Sequence, residues 1–435
     1  MTVSEELIQR RRAVISDGLG MVTPLTAASG KNSILIDLDG REIIDFASGI
    51  GVTSAGHCPD RVVAAIENQA RQLIHTCVMV ATYEPYVALA EDLVALFPHG
   101  ERTKVMLTTT GAESVENAIK IARQATRRSG VLCYTGAFHG RTMMGMALTS
   151  KVAYKRWCGP FPGGVYRLPY PDYYHQGDGL SQDAFVSREL RRVEDAFQTM
   201  VPADEVAAII IEPILGEGGF VAAPAAYLQG LRRICDQHGI MLILDEVQTG
   251  FCRTGRWACY EYAGVTPDIS TWAKAMGSGM PIGAVMGRAG IMDKAQPGTI
   301  GGTYPGNPVT CAAARATIQV MKDQDLCGRA THIGNLIGER FAAFQEQYPR
   351  VVGDVRGMGA MRAMELVQDG DPHRPDPARC RRILETCWEK GLLVIPAGTY
   401  KNVIRLLVPL TIEDATLKRG MDILSHALDQ SFQSE

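Results

Sequence analysis

Hydrophobic and polar positions along the central part of the chain predict helices and strands in alternation. Helix-like stretches lie at residues 61–73, 84–96, 114–128 and 227–238. Short apolar runs that predict buried strands lie at residues 105–109, 131–135, 206–211 and 240–244. Strands of this length that alternate with helices are typical of a mostly parallel sheet with helices on its faces.

The two ends of the chain have a different pattern. Residues 33–46 form two β-rich runs around the turn Asp39-Gly40, which predicts a hairpin. Beyond residue 325 the pattern changes. Helix-like segments lie at residues 332–348 and 378–390, and strand-like segments lie at residues 355–367, 392–395 and 403–407. This C-terminal pattern indicates a smaller α+β unit.

A chain of 435 residues exceeds what one compact core usually covers, so we expect more than one domain. The patterns predict an α/β protein whose large domain, over residues 61–325, contains the mostly parallel sheet. A small α+β domain covers residues 326–435, and the segment over residues 1–60 is expected to pack with it.

Composition and charge restrict the possible partners. With 46% hydrophobic and 21% charged residues, the chain has the composition of an ordinary globular protein. A net charge of -3 provides neither a basic surface for nucleic acid nor a polybasic membrane signal. Small metabolites are therefore the expected partners.

The eleven cysteines are scattered, and no pair or Cys/His cluster has the spacing of a zinc site, so no metal is expected. An odd, unclustered set indicates reduced thiols and a reducing compartment. The first twelve residues are charged and lack the apolar core of a signal peptide, and no apolar run reaches the length of a membrane span. We therefore expect a cytoplasmic protein.

Residues after the predicted strands are the first candidates for chemistry, because ligands of open α/β sheets bind beyond the carboxyl ends of the strands. Thr110-Gly111-Ala112 follows one strand and opens a helix. Small residues there can present free backbone N–H groups to a phosphate, although a tight strand-to-helix turn explains the segment equally well. The segment matches neither dinucleotide nor Walker fingerprints, which disfavours a nicotinamide oxidoreductase.

The next two strand ends carry an aromatic ring and charged groups. Phe138, His139 and Arg141 lie between glycines, which suits a planar ligand with an anionic group; a core aromatic in a glycine-rich loop is the alternative. Glu212 and Glu217 follow the third strand and could equally be groups that cap the loop.

An acid and a lysine complete the candidates. Asp245 comes directly after five apolar residues, so we expect it to be partly buried and to need a partner, such as a protonated ring nitrogen. Lys274 lies among small uncharged residues. Such a lysine is either an ion-pair partner or an amine with a lowered pKa, the state that Schiff-base chemistry needs.

Together, a phosphate loop, a stacking aromatic, an acid and a lysine are what a pyridine-ring aldehyde cofactor requires. The motifs that carry a family resemblance are DFASGI (45–50), HTC and YEPY (75–86), TTGAESVENA (109–118), FHGRTMM (138–144), IIIEPILGEGGF (209–220), DEVQTG (245–250), AK (273–274), GGTY (301–304) and GTYKNVIRLLVP (398–409). They span nearly the whole chain. In them the chain resembles the class III, or ω-, aminotransferases of fold type I, and most closely the bacterial 4-aminobutyrate aminotransferases.

This resemblance implies that pyridoxal 5′-phosphate is the cofactor and that Lys274 binds it and later moves a proton. Asp245 would pair with the pyridinium nitrogen, while Phe138 and Val247 would lie on the two faces of the ring. These four residues are thus the implied catalytic and ring-binding groups.

The remaining cofactor contacts are implied in the same way. Gly111 and Ala112 would give backbone N–H groups to the phosphate, and Thr303 would reach it from a second subunit. Gln248 and Glu212 would lie near the phenolic oxygen. A homodimer or a dimer of dimers is therefore expected.

The resemblance also implies the substrate site. Ile50 and Arg141 match the pocket for the distal carboxylate of the substrate. Arg405 matches the arginine that takes the α-carboxylate of glutamate or 2-oxoglutarate, and Glu217 matches its partner when that carboxylate is absent. Two positions depart from the family pattern: Ala112 replaces a serine, and Met79 replaces a glutamine near the substrate.

The sequence thus predicts an ω-amino-acid:2-oxoglutarate aminotransferase that works by a ping-pong mechanism. The leading donor is 4-aminobutyrate, which would give succinate semialdehyde; 5-aminovalerate and ornithine are alternatives. An amino-acid epimerase or aminomutase, or a dialkylglycine-type decarboxylase, on the same fold are further alternatives. Two carboxylate-binding arginines and a neutralising glutamate favour the aminotransferase, because its acceptor is a dicarboxylic acid.

Overall fold

The computed structural model of the protein describes residues 1–100 and 102–432. Its strands are β1 (Ser29–Lys31), β2 (Ile34–Ile36), β3 (Glu42–Asp45), β4 (Thr103–Thr108), β5 (Gly130–Tyr134), β6 (Val165–Leu168), β7 (Val206–Ile211), β8 (Met241–Asp245), β9 (Ile269–Trp272), β10 (Gly283–Arg288), β11 (Val352–Met358), β12 (Met361–Gln368), β13 (Asp371–Pro375), β14 (Leu392–Leu393), β15 (Ile395–Ala397) and β16 (Val403–Leu406).

The longer helices are α1 (Val3–Val14), α2 (Asp60–Gln72), α3 (Glu84–Leu96), α4 (Gly111–Thr126), α5 (Gln182–Thr199), α6 (Ala225–His238), α7 (Pro308–Asp323), α8 (Leu326–Gln347), α9 (Pro377–Glu389) and α10 (Asp414–Gln430). None of these described helices combines the length and the apolar character of a membrane span.

The central sheet has the strand order β4-β10-β9-β8-β7-β5-β6. Neighbouring strands from β9 to β6 run parallel, and only β10 is antiparallel to both of its neighbours. Alternate residues of β7 belong to two different cores, with Ile209 and Ile211 in one and Ala208 and Ile210 in the other. A sheet buried on both faces explains its near-continuous apolar strands, and the predicted α/β fold class is confirmed.

The predicted N-terminal hairpin is present, because β2 pairs antiparallel with β3. Strand β3 also pairs in parallel with β14 from the C-terminal part, with Ile44 opposite Leu392. The third sheet has the order β11-β12-β16-β15. The first and last parts of the chain are therefore joined by a common sheet beside the central one.

Some elements differ from the prediction. The sequence did not predict α5, α7, α10, β9 or β10. Helix α8 begins at Leu326 rather than at residue 332, since the Asp325 carboxylate accepts a hydrogen bond from Gly328 N at 3.1 Å and caps the first turn. The apolar pattern of that first turn is too weak to predict a helix, but the Asp325 cap stabilises it.

Candidate active site

A cavity of about 410 Å³ lies beyond the carboxyl ends of β4, β5, β7, β8 and β9. Because β10 is antiparallel, the residues just before its start, 279–282, line the same cavity. The lining includes ten of the residues predicted for the site, namely Gly111, Ala112, Phe138, Arg141, Glu212, Glu217, Asp245, Val247, Gln248 and Lys274. The strand ends thus bring together residues that are far apart in sequence.

The start of α4 forms one wall of this cavity. The Thr110 hydroxyl accepts a hydrogen bond from Glu113 N at 3.2 Å and caps the helix. Gly111 packs closely against Val247, because a Cβ atom at Gly111 would lie 2.9 Å from the Val247 Cγ1 atom. A helix N-terminus with small residues favours an anion through its backbone N–H groups and its dipole.

Asp245 is held rigidly at the end of β8. Its Oδ2 atom lies 2.7 Å from His139 Nδ1, and its Oδ1 atom accepts a hydrogen bond from the Thr271 hydroxyl at 2.9 Å. Asp245, His139 and Thr271 are all buried. The sequence prediction included Asp245 but assigned no role to Thr271, because a threonine within a polar stretch gives no signal of its own.

Glu212 ties two loops of the cavity together. Its Oε1 atom accepts from Phe138 N and its Oε2 atom from Gly216 N, both at 2.8 Å. Burial raises the pKa of Glu212 to about 7. The backbone N–H donors of Phe138 and Gly216 act in the opposite direction, because they favour the ionised carboxylate.

Lys274 lies two residues after the end of β9 and has a backbone φ of 49°, a conformation that most residues avoid. Burial lowers the pKa of its amine, while the Glu217 carboxylate acts in the opposite direction. A lowered pKa increases the fraction of neutral amine, which is the nucleophilic form. The amine therefore has the character that binding to an aldehyde requires.

Arg405 of β16 lies behind the cavity wall and is buried. Its Nη1 atom lies 2.6 Å from Glu217 Oε1, so this ion pair joins the small sheet to the loop after β7. Burial acts to raise the pKa of Glu217, but the Arg405 guanidinium overcomes this effect and the pKa is lowered. The pair is therefore charged.

The second arginine, Arg141, is exposed and lies 4.9 Å from the ring centroid of Tyr154.

Ile50 and Thr303 lie outside the lining of this cavity. Ile50 is exposed and has a φ of 69°. Thr303 is also exposed, in the loop before α7. Met79 packs against that same loop, since a Cβ atom at Gly301 would lie 2.9 Å from the Met79 Sδ atom. Met79 and Thr303 thus share one exposed surface of the chain.

The donor set suits a phosphorylated pyridine ring. Within the described residues, neither side-chain amide atom of Gln248 has a hydrogen-bond partner, and neither has His139 Nε2, although all three atoms are buried. Buried polar atoms without partners cost free energy unless a ligand satisfies them. Within residues 1–100 and 102–432, no cluster of three or more His, Cys, Asp or Glu side chains could hold a metal ion.

Comparisons with known proteins agree with this geometry. The chain is 44% identical to the 4-aminobutyrate aminotransferase of Escherichia coli (strain K12), over 100% of both chains. It is also 44% identical to the 5-aminovalerate aminotransferase of Pseudomonas aeruginosa, over 98% of this chain and 99% of that protein.

Solved structures extend the similarity to the fold. A PLP-bound amine transaminase from an uncultivated Pseudomonas species superimposes with a TM-score of 0.88 at 33% identity, covering 94% of this chain and 95% of that one. An (S)-enantioselective omega-transaminase from Thermomicrobium roseum gives a TM-score of 0.92 at 29% identity, over 99% of both chains. Residues 17–428 match the family described as Aminotransferase class-III. The chain therefore belongs to the class-III aminotransferases and is an enzyme that uses pyridoxal 5′-phosphate.

Proposed function

We propose that this enzyme transfers the terminal amino group of an ω-amino acid, with 4-aminobutyrate as the leading donor, to 2-oxoglutarate. The products are succinate semialdehyde and glutamate, formed in two separate halves of a ping-pong reaction. The observation that carries this proposal is the buried ion pair of Arg405 and Glu217 at the wall of the cavity that contains Lys274.

The ion pair explains how one pocket accepts two kinds of substrate. An ω-amino acid has one carboxylate, at its distal end, whereas 2-oxoglutarate has two. With the donor bound, an unpaired Arg405 would leave a buried charge without a partner, at considerable cost, and Glu217 supplies that partner. With the acceptor bound, its α-carboxylate replaces Glu217, because guanidinium geometry suits a bidentate carboxylate. Arg141 serves the distal carboxylate in both halves, with Ile50 beside it.

When bound, pyridoxal 5′-phosphate supplies an electron sink for the carbon that carries the amine. We assign its contacts to Gly111, Ala112, Phe138, Glu212, Asp245, Val247, Gln248, Lys274 and, from a second subunit, Thr303. Asp245, held by His139 and Thr271, keeps a proton on the ring nitrogen. The Lys274 amine takes a proton from the substrate carbon and returns it.

The donor could also be longer than 4-aminobutyrate. Met79 places an apolar side chain on the surface that contains Thr303. In a two-fold dimer that brings Thr303 to the partner's cofactor, Met79 would approach the partner's substrate, where an apolar contact suits an additional methylene group. This observation keeps 5-aminovalerate as the second candidate.

Single-turnover rates of the two halves test the proposal. Arg405→Ala should slow the 2-oxoglutarate half by at least about thirtyfold, or roughly 2 kcal/mol, and the 4-aminobutyrate half much less. Equal losses in both halves would mean that the Arg405–Glu217 pair is a permanent brace between two parts of the fold.

Product analysis separates the aminotransferase from its alternatives. Without an acceptor, an aminotransferase converts at most one donor molecule per site and then stops. An epimerase or aminomutase would continue to turn over, and a decarboxylase would release carbon dioxide. A comparison of 4-aminobutyrate, 5-aminovalerate and ornithine in the first half then ranks the donors.

A further inference from the structure

Glu217 needs a second partner whenever 2-oxoglutarate occupies Arg405, because its carboxylate is largely buried and would otherwise be left unpaired. The structure contains a small cavity on the side of Glu217 that is lined by Lys151 and Tyr154. We propose that Lys151 and Tyr154 are positioning residues that hold the Glu217 carboxylate while the acceptor is bound. This inference rests on the proposed exchange of partners at Arg405.

Tyr154 already contacts the carboxylate. Its hydroxyl donates a hydrogen bond to Glu217 Oε2 at 3.4 Å, whereas Arg405 binds the other oxygen, Oε1, at 2.6 Å. The Tyr154 ring is itself fixed by an edge-on contact with Phe138, with 5.3 Å between ring centroids, and by the Arg141 guanidinium 4.9 Å from its centroid. The Tyr154 hydroxyl is therefore held beside Glu217 and remains available when the carboxylate leaves Arg405.

Lys151 supplies the positive charge on the same side. Its Nζ atom lies 5.7 Å from the Tyr154 ring centroid and donates to Gly398 O at 3.0 Å, while Gly398 N donates to Glu217 O at 2.9 Å. An ammonium group has three N–H donors, so it can bind a carboxylate and keep its bond to Gly398. Burial lowers the pKa of Lys151, and the Glu217 charge opposes this effect.

The exchange requires only a rotation of the Glu217 side chain. Its backbone is held at Gly398, and Arg356 Nε donates to Gly219 O at 2.8 Å two residues further on. With the loop fixed at both points, the carboxylate can rotate from Arg405 towards the Lys151 side without moving the chain. Such a rotation leaves the rest of the cavity in place.

Binding of two unreactive acids to the holoenzyme, measured by calorimetry, tests this inference. Glutarate has both carboxylates of 2-oxoglutarate, whereas butyrate has only the one that the donor also carries. Lys151→Met should weaken glutarate binding about tenfold and leave butyrate unchanged. Tyr154→Phe should weaken glutarate a few-fold, and Lys151→Arg should restore most of the affinity that Lys151→Met loses.

Lys155→Met is the matched control, because the Lys155 amine lies in the same loop but donates to Thr149 O at 3.0 Å. It should leave the ratio of the two affinities unchanged. Equal weakening of both acids by Lys151→Met, or no change in either, would overturn the inference. If Lys151→Met does not fold, Tyr154→Phe makes the same comparison, and an unchanged ratio of the two affinities in Tyr154→Phe overturns the inference.

Arg405→Ala separates this inference from the proposed function. If Arg405→Ala leaves the glutarate to butyrate ratio unchanged, Arg405 does not bind the second carboxylate and the proposed exchange is wrong. If Arg405→Ala weakens glutarate selectively but Lys151→Met and Tyr154→Phe do not, the exchange stands and only the second position of Glu217 is wrong.

Discussion

At the scale of single residues, strand β9 positions two chemically different groups. Its Thr271 hydroxyl orients Asp245, and Lys274 follows the strand two residues after its end. The hydroxyl that orients the acid thus belongs to the strand that precedes the lysine, which couples the positions of the two groups. The positive φ of Lys274 places strain at the reacting position, where strained residues often occur.

Lys274→Ala should retain the fold but lose nearly all turnover, because in the proposed function the amine both binds the cofactor and carries the proton. Borohydride reduction of the wild-type enzyme followed by peptide mapping should place the cofactor on Lys274. Lys322→Ala, on the exposed side of α7, is the control and should be fully active. A label on any other lysine would contradict the assignment.

A second buried acid gives the enzyme a pH-dependent stability. Glu246 is buried and accepts hydrogen bonds from Tyr260 N at 2.9 Å and from the Thr249 hydroxyl. Burial, with a smaller contribution from Asp245, raises its pKa to about 7. Between its unfolded and folded pKa values the folded state binds more protons, so stability decreases as pH rises through that window.

We therefore predict that the wild-type apoenzyme loses stability from about pH 4.5 to about pH 7, with Glu246 contributing about 3 kcal/mol. Glu246→Gln should make this decrease shallower but not abolish it, since Glu212 is raised in the same direction. Urea midpoints across this range measure the slope. Exposed Glu67→Gln is the control, and equal slopes in wild type and Glu246→Gln would contradict the assignment.

At the scale of elements, the site depends on a close contact between a loop and a helix. Gly140 has a φ of 108°, and a Cβ atom there would lie 2.7 Å from the Ala112 Cβ atom at the start of α4. Glycine is therefore required at position 140 both for the backbone conformation and for the contact. Ala112, in place of serine, adds no hydroxyl to this crowded point.

Gly140→Ala should push the start of α4 away from the cavity and weaken cofactor binding at least about tenfold, since a strained backbone costs about 1–3 kcal/mol. Titration of the apoenzyme with pyridoxal 5′-phosphate, followed by fluorescence, measures the change. Gly163→Ala is the matched control, because a Cβ atom at Gly163 meets no neighbour within 4 Å. Wild-type affinity in Gly140→Ala would show that this contact does not shape the phosphate site.

The elements also show what the sequence can and cannot predict. Both boundaries of strand β7 were predicted correctly, because its residues are all apolar and buried. Strand β9 was not, because Ser270 and Thr271 are polar, and only the folded structure supplies their partners, His99 and Asp245. The direction of β10 depends on how the chain returns to the sheet, which local pattern does not encode.

The residues around the cavity divide in the same way. Those within recognisable motifs, such as Asp245 and Lys274, could be predicted because each motif has a fixed place at a strand end. Tyr154 and Lys151 could not, because their closeness to Glu217 depends on tertiary contacts across 63 residues of sequence or more.

At the scale of the whole molecule, the site lies where two sheets meet. We propose three units, residues 1–60, 61–325 and 326–435, with the first joined to the last through β3 and β14. The Arg405–Glu217 pair connects the third unit to the second. Any shift between these units would change the geometry of the Arg405–Glu217 pair.

We also propose a two-fold dimer in which Thr303 completes the partner's phosphate site. Co-expression of Lys274→Ala with Thr303→Val would then give hybrid dimers with one site that bears neither change. Random pairing makes half of the dimers hybrid, so activity should reach about a quarter of the wild-type value. Each variant expressed alone is the control. Activity no higher than the mean of the two controls would place Thr303 in its own chain's site.

The Arg405–Glu217 pair has a consequence for the choice of acceptor. Because Glu217 belongs to the same chain and already pairs with Arg405, it acts as an internal competitor for the guanidinium. In the proposed function an oxo acid must displace this competitor, and 2-oxoglutarate would gain an additional contact with Arg141 that favours displacement. Pyruvate has no distal carboxylate to offer Arg141, so it competes at a disadvantage. We therefore expect the enzyme to disfavour monocarboxylic acceptors, because every acceptor would compete with the Glu217 side chain for Arg405.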